Sequence, residues 1–346
     1  MGQELMKAVV ITGPKLASLQ QIERWSPEPN EILVRCKAAA ICTTERRVFS
    51  GALPYYPAIG GHEFTGAIER IGESGSDLKP GDHVAVDAHN RCGHCHYCIK
   101  GHDNLCVNVF KPRKDYKYVM IGGGFAEFAA LLPSQVVKLP QSVSLEEASL
   151  TEPLACCVHS IKKAQLSFGD TIAIVGAGTM GALHLLLAKM LGAKTIVSDI
   201  DEDRLKLISD LGAKVVINPE VNDAVEVVKE HTNGRGADVV VVAASARRAG
   251  KQGLAMVGRS GRVIYYASLH PPGMPELDWN RIHYGEIMVT GTEGSTKRDF
   301  HEAVSLLGSG AINVRPLISK IISLEELPAE LETNPAGETQ RVVVKL

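Results

Sequence analysis

The stretch Ile172-Ala173-Ile174-Val175-Gly176-Ala177-Gly178-Thr179-Met180-Gly181 decides the fold. Four successive apolar residues suit a strand buried on both faces. They run into G-x-G-x-x-G, and a helical stretch, Met180–Leu191, follows. Gly176 permits the tight turn, Gly178 lets a pyrophosphate approach the backbone, and Gly181 lets helix and strand pack closely. The helix N-terminus, with Thr179 and Met180 in its first turn, presents N–H groups to phosphates. A second strand, Thr195–Ser198, ends at Asp199, eighteen residues beyond Gly181. A carboxylate there can bind the adenosine ribose 2′-hydroxyl and repels a 2′-phosphate, which argues for NAD over NADP. Asp199 also reads as a surface acid capping the next helix. Arg204 can stack on adenine or serve a 2′-phosphate, or stand as a solvated helix residue.

Outward from this turn the chain has two textures. From about Thr171, strands and helices alternate. The strands are Thr171–Val175, Thr195–Ser198, Val215–Ile217, Val239–Ala243 and Arg262–Tyr266. Between them fall helices at Met180–Leu191, Glu202–Leu211, Asp223–Glu230 and Lys251–Val257. Such alternation builds an α/β fold, a doubly wound parallel sheet. From Met1 to about Leu150 the chain is rich in Gly, Pro and short β-like runs. These include Ala8–Thr12, Glu31–Ala40, Phe64–Ile71 and His83–Asp87, and they predict an antiparallel, barrel-like domain. The tail has a helical stretch, Arg298–Leu307, and a final strand, Arg341–Leu346, which can return to the first domain. A length of 346 residues also favours two domains over one.

Charge excludes some partners. Lys+Arg is 37 and Asp+Glu is 39, a net charge of −2. That gives no basic excess for nucleic acid or a membrane surface. The apolar runs are too short to span a membrane, and Met1-Gly2-Gln3-Glu4 is no export signal, so the expected location is cytoplasmic. In a reducing compartment, the eight cysteines are thiols rather than a disulfide framework.

Four of them, Cys92, Cys95, Cys98 and Cys106, crowd into fifteen residues. Two-residue spacers let successive thiolates converge on one tetrahedral ion, and four Cys ligands leave no open position. This reads as a structural zinc site. A second, dispersed candidate comprises Cys42, His62-Glu63 and Glu152. Each also has a plain reading: Cys42 as a buried thiol, His62 as a core histidine, Glu152 as an acid at a helix start.

Taken together, these pieces resemble the zinc-containing medium-chain dehydrogenase/reductase family, which includes alcohol, sorbitol and threonine dehydrogenases. The motifs that carry the resemblance are Cys42-x-Thr44, Gly61-His62-Glu63-x-x-Gly66, Gly81-Asp82-x-Val84, the Cys92/95/98/106 loop, Glu152-Pro153-Leu154 and Gly176–Gly181. It implies a GroES-like β-barrel catalytic domain over residues 1–155, completed by 293–346, and a Rossmann NAD-binding domain over 156–292. It implies that Cys42 and His62 bind a catalytic zinc, with Glu63 or Glu152 as the third ligand, and that Thr44 starts a proton relay. An acid at Glu152 places the chain nearer the polyol and amino-alcohol branch than the ethanol-type enzymes. Tyr266-Ala267-Ser268 and Thr292-Glu293 match positions near the nicotinamide. Some positions depart from the pattern. Many relatives have Gly at Thr43, Asp at Glu45 and a relay His at Arg47, and sorbitol dehydrogenases carry an Arg-Tyr pair within the segment 291–295.

The resemblance implies an enzyme with two zinc ions, one catalytic and one structural. It transfers hydride from a secondary alcohol (a polyol, sugar alcohol or sugar-alcohol phosphate) to NAD. The alternatives are an L-threonine-type amino-alcohol dehydrogenase and a non-catalytic NAD-binding protein. Arg46, Arg47, Lys111, Arg113 and Lys114 can attract an anionic substrate group. A homo-oligomer, dimer or tetramer, is also expected.

Overall fold

A computed structural model describes residues 4–72, 77–109, 117–269, 272–273, 277–333 and 340–346. The chain forms two compact units, Met1–Ala155 with Thr296–Leu346, and Cys156–Ser295. Lys111, Arg113 and Lys114 lie outside the described residues. Among those described, no helix is long and apolar enough to cross a membrane.

Among the described residues, the N-terminal part of the first unit holds β1 (Leu5–Gly13), β2 (Leu16–Glu23), β3 (Ile32–Ala40), β4 (Ala58–Ile59), β5 (Glu63–Ile71), β6 (His83–Asp87), β7 (Val119–Met120), β8 (Phe128–Leu131) and β9 (Val136–Lys138). The second unit contributes β10 (Thr171–Val175), β11 (Lys194–Ser198), β12 (Val215–Ile217), β13 (Ala237–Val242), β14 (Val257–Tyr265) and β15 (Met288–Gly291). Strands β16 (Ile318–Ser323) and β17 (Arg341–Lys345) return to the first unit, as expected of the tail. The helices that matter for the sites are α1 (Thr43–Ser50), α2 (His96–Ile99), α3 (Leu145–Ala148), α4 (Thr151–Lys163) and α5 (Thr179–Met190).

In the first unit, one sheet runs β2-β1-β4-β7 and the other β16-β17-β3-β5-β6-β9, with β8 on β3. The two sheets share one core, to which Met6 and Val9 of β1, Leu33 of β3 and Phe64 of β5 contribute. The register of this second sheet sets the position of the site. Ala40 at the end of β3 pairs with Glu63 at the start of β5, and Val343 of β17 also pairs with Ala40. The Ile41 N–H donates to the Val342 carbonyl at 2.9 Å. Three strand ends therefore meet just before Cys42.

The second unit is a parallel sheet in the order β12-β11-β10-β13-β14-β15. The order reverses between β10 and β13, so the crevice for a ligand lies beyond their carboxyl ends. Gly176 follows β10 there. A Cβ on it would stand 3.1 Å from the Ala243 backbone just after β13. The helix expected at Lys251–Val257 begins earlier, at Arg247, and the strand expected at Arg262 begins at Val257.

His184 of α5 is fully buried in this unit. Burial pulls its imidazole down to about 4 from 6.5, against a smaller opposing pull from the Met180 carbonyl. Between those values the unfolded chain binds a proton that the folded chain refuses, so stability falls as pH falls through the window. From pH 7 to pH 5 this costs about 2 kcal/mol. Urea unfolding at the two pH values should show that loss reduced by about this amount in His184→Leu. An equal loss in parent and variant would mean that His184 is not held neutral.

Candidate active site

Helix α1 starts directly after Cys42, which is its N-cap residue. Three residues on, Glu45 turns back, and its Oε2 accepts the Cys42 N–H at 3.1 Å. The other oxygen, Oε1, accepts the Gly61 N–H at 2.9 Å and contacts His62 Nδ1 at 2.7 Å. A carboxylate can only accept, so Nδ1 carries the proton and Nε2 is left to coordinate a metal. Burial pushes the Glu45 carboxyl up, but His62 and the Gly61 N–H outweigh it and hold the group below the usual carboxylate range. Glu45 was not singled out as a site residue by its sequence context, because an acid in a first helical turn is commonplace.

The ligand atoms of Cys42, His62 and Glu63 all lie within 4.8 Å of one another. Arg341, the first residue of β17, faces them. Its Nη2 donates to Glu63 Oε1 at 2.6 Å and its Nε to Oε2 at 3.0 Å, and Nη2 stands 3.6 Å from Cys42 Sγ. Burial pushes the Cys42 thiol up, but Arg341 and His62 overcome this and bring it down to about 6. For Glu63, burial raises the carboxyl, Arg341 pulls it down, and Cys42 and Glu152 push it up again, for a net rise. Burial likewise drives the His62 imidazole down, while Glu45 and Cys42 raise it well above its ordinary value. The raised Glu63 carboxyl reflects acidic groups crowded round one guanidinium, a crowding that a divalent cation would relieve. A soft thiolate, an imidazole and a carboxylate are a donor set that suits zinc.

Glu152 stands in the first turn of α4, buried, and its charge acts on both Glu63 and Arg341. It is outside the set of three ligand atoms within 4.8 Å. Thr44 Oγ1 is 3.9 Å from Cys42 Sγ. Arg46 is committed elsewhere. Its Nη1 donates to the Glu330 carbonyl at 3.1 Å, and Nη2 is 3.6 Å from the Glu330 carboxylate. Arg47 is half-buried in the last turn of α1.

The four sulfurs of Cys92, Cys95, Cys98 and Cys106 also lie within 4.8 Å of one another, and all four are free thiols. Cys92 and Cys106 are 3.5 Å apart. Four thiolates at about 2.3 Å from a tetrahedral zinc stand ~3.8 Å from each other, so the group fits that ion. Gly93 and Gly101 take left-handed φ of 75° and 78°, which lets the loop curl round α2. The Asn108 contact pulls Cys92 down to about 5, whereas burial pushes Cys98 up to about 12.

In the second unit the Gly176–Gly181 turn is fitted as its sequence implies. A Cβ on Gly181 would meet the Gly176 carbonyl oxygen at 1.9 Å, so only Gly lets α5 pack this closely. A Cβ on Gly178 would meet no atom within 4 Å, so the turn faces open space. Asp199 Oδ2 accepts the Ala177 N–H at 2.6 Å and Oδ1 the Asp201 N–H at 3.0 Å, which pins the carboxylate beside the turn. Arg204 Nε lies 3.9 Å from Asp201 Oδ2. The N–H groups of Tyr266 and Ala267 donate to the Val242 carbonyl at 3.1 and 3.0 Å, placing both at the carboxyl end of β13. Ser268 and Glu293 are exposed, and the Thr292 hydroxyl is buried without a partner among the described residues.

Comparison with known proteins accords with both halves. Residues 28–141 match the alcohol dehydrogenase GroES-like domain, and residues 179–309 match the zinc-binding dehydrogenase domain. The chain is 33% identical to L-threonine 3-dehydrogenase of Pyrococcus furiosus, covering 99% of each chain. It is 30% identical to sorbitol dehydrogenase of Halalkalibacterium halodurans, covering 98% of this chain and 99% of that one. A zinc-binding dehydrogenase from Sinorhizobium meliloti 1021, solved bound to NADP, superposes with a TM-score of 0.92 at 29% identity, over 99% of this chain and 100% of that one. With such identity along nearly its whole length, the chain belongs to the zinc-binding medium-chain alcohol dehydrogenases, a family of oxidoreductases.

Proposed function

We propose that the chain oxidises secondary alcohols with NAD, taking a polyol, sugar alcohol or sugar-alcohol phosphate. The observation that carries this reading is the Cys42–His62–Glu63 cluster with Glu45 behind the imidazole. In it, Met1–Ala155 with Thr296–Leu346 is the catalytic domain and Cys156–Ser295 the NAD-binding domain. Cys42, His62 and one carboxylate, Glu63 or Glu152, hold the catalytic zinc, while Cys92, Cys95, Cys98 and Cys106 hold the structural one. When bound, zinc supplies a Lewis acid that lowers the pKa of the substrate hydroxyl, and the nicotinamide accepts the carbinol hydride. Thr44 Oγ1 accepts the hydroxyl proton as it passes its own on towards the nicotinamide ribose. Arg341 orients Glu63 and lowers the cost of gathering anions. The start of the helix Thr179–Met190, with its N–H groups and its positive dipole end, binds the pyrophosphate. Tyr266, Ala267, Ser268, Thr292 and Glu293 line the nicotinamide end. A panel of polyols, polyol phosphates and L-threonine with NAD, read by absorbance, tests the reading. Absence of turnover with every polyol and polyol phosphate overturns it, and turnover of L-threonine alone establishes the second candidate in its place. L-Threonine is the second candidate, favoured by the closeness of Glu152 to Glu63 and by the Pyrococcus furiosus relative.

Asp199 supports NAD as the cofactor, even though the Sinorhizobium meliloti neighbour holds NADP. Both its oxygens are pinned at the turn, so it cannot swing away from a 2′-phosphate. Two like charges about 4 Å apart at an effective dielectric near 20 repel by ~4 kcal/mol. We expect kcat/KM for NAD to exceed that for NADP by at least ~100-fold, and Asp199→Ser to narrow the gap. Comparable efficiencies with both cofactors would refute the assignment. The edge strand β15 and the exposed Trp279, Tyr284 and Met288 support a homo-oligomer in which a second copy covers that edge. The reading places the protein in the cytoplasm, where thiols stay reduced.

A further inference from the structure

Beneath the phosphate-facing turn lies a buried cluster that the proposed chemistry leaves unused. His184 projects from the second turn of α5 and folds back on its own helix. Its Nδ1 is 2.7 Å from the Met180 carbonyl oxygen, and its Nε2 is 2.9 Å from Ser160 Oγ on α4. A carbonyl only accepts, so Nδ1 carries the hydrogen and Nε2 takes the Ser160 hydroxyl proton in a hydrogen bond. Cys157 Sγ, also on α4, stands 3.6 Å from the same carbonyl. On its other side the imidazole meets the Tyr266 ring edge-on, with centroids 4.8 Å apart and planes at 81°. His184, Ser160 and Cys157 are all fully buried. Burial also keeps the imidazole in the neutral form that this bonding pattern needs.

The peptide between Met180 and Gly181 is planar and trans, so its N–H points opposite its C=O. Whatever fixes the Met180 carbonyl therefore aims the Gly181 N–H. That N–H belongs to the first turn of α5, where a helix has no internal acceptors for its N–H groups, within the G-x-G-x-x-G turn. The same imidazole backs the Tyr266 ring, whose backbone is tied to the end of β13.

We propose that His184 is a positioning residue for the dinucleotide: it locks the Met180–Gly181 peptide, aims the Gly181 N–H at the pyrophosphate, and seats the Tyr266 ring. The proposal rests on the NAD-binding reading above. It is tested by fluorescence and calorimetric titration of the full-length protein with NADH, ADP-ribose and AMP. His184→Leu removes both hydrogen bonds and should weaken NADH and ADP-ribose, which carry a pyrophosphate, by about five- to tenfold. AMP, which lacks one, should bind within about twofold of the parent. His184→Asn restores a donor to the Met180 carbonyl and should recover most of the loss. Should His184→Leu fail to fold, Ser160→Ala carries the same comparison, with a smaller loss of about threefold. Equal weakening of all three ligands, or an unchanged NADH affinity, overturns the proposal. A parent protein that binds AMP but neither dinucleotide nor ADP-ribose overturns the NAD-binding reading itself, and the positioning role with it.

Discussion

Replacing His62 with Ala should abolish turnover and remove about one zinc per chain, while NADH still binds. The cluster has three protein donors within 4.8 Å, and a catalytic zinc keeps one position for substrate. Losing the imidazole leaves a thiolate and a carboxylate, too few to hold the ion. Cys42→Ser should act alike. NADH binding survives because the Gly176–Gly181 turn belongs to the other unit. Glu45→Ala tests how much of this depends on the carboxylate behind the ring. It removes the partner of Nδ1 and should weaken zinc binding 10–100-fold without removing a donor. Thr44→Ala should separate metal binding from proton transfer, since zinc and NADH stay while the rate falls roughly 10²–10⁴-fold. Metal analysis beside steady-state kinetics reads all four variants. Full activity in His62→Ala would end the catalytic-zinc reading, whatever the cysteine loop holds.

The parts of the site legible in the sequence are those whose chemistry is local. The Cys92–Cys106 loop and the Gly176–Gly181 turn each bring their groups together within fifteen residues or fewer, so spacing alone carries the geometry. The strand His83–Asp87 and the strand Thr171–Val175 keep their expected bounds for a similar reason: short apolar runs between turn residues have one reading. Arg341 was not legible. It reaches Glu63 across 278 residues, through the pairing of β17 with β3 and of β3 with β5, and its sequence context is only that of a strand start. Glu45 and His184 were illegible for another reason. Each takes its role from the groups it touches in the folded chain, and a helix acid or a histidine in an apolar helix announces nothing. Strand β2 escaped because it is an edge strand with mixed exposure, so the alternation of its residues is weak. The start of β14 is masked by Gly258, Arg259 and Gly261, which read as a turn.

Cys95→Ser should cost the second zinc and much of the protein's stability. The lobe it belongs to does not bury its own apolar side chains: Tyr97 is 40% exposed, Ile99 74%, Leu105 44% and Val107 66%. Its regular structure is a four-residue helix and a single 3₁₀ turn, both too short to persist alone. Four sulfurs round one ion therefore take the place of a core, and such sites contribute roughly 10–16 kcal/mol of apparent binding energy to folding. The loss would spread along a defined route. Arg91, next to Cys92, pairs with the buried Asp87 at the end of β6, and its Nε is 3.6 Å from Asp103. Asp103 in turn accepts the Lys297 N–H at 3.2 Å, at the start of the helix Lys297–Gly308. If the lobe unravels, Asp87 loses its guanidinium while still buried, and breaking such a pair on one side costs about 3–5 kcal/mol. Asp87 lies opposite Glu63 in the β5–β6 ladder, so the disturbance reaches the strand that carries the catalytic cluster. Cys95→Ser should therefore bind one zinc fewer, melt at a clearly lower temperature, and be cut by protease within residues 92–106 before the rest of the chain. Unchanged metal content and melting temperature in this variant would show that the four cysteines hold no structural ion.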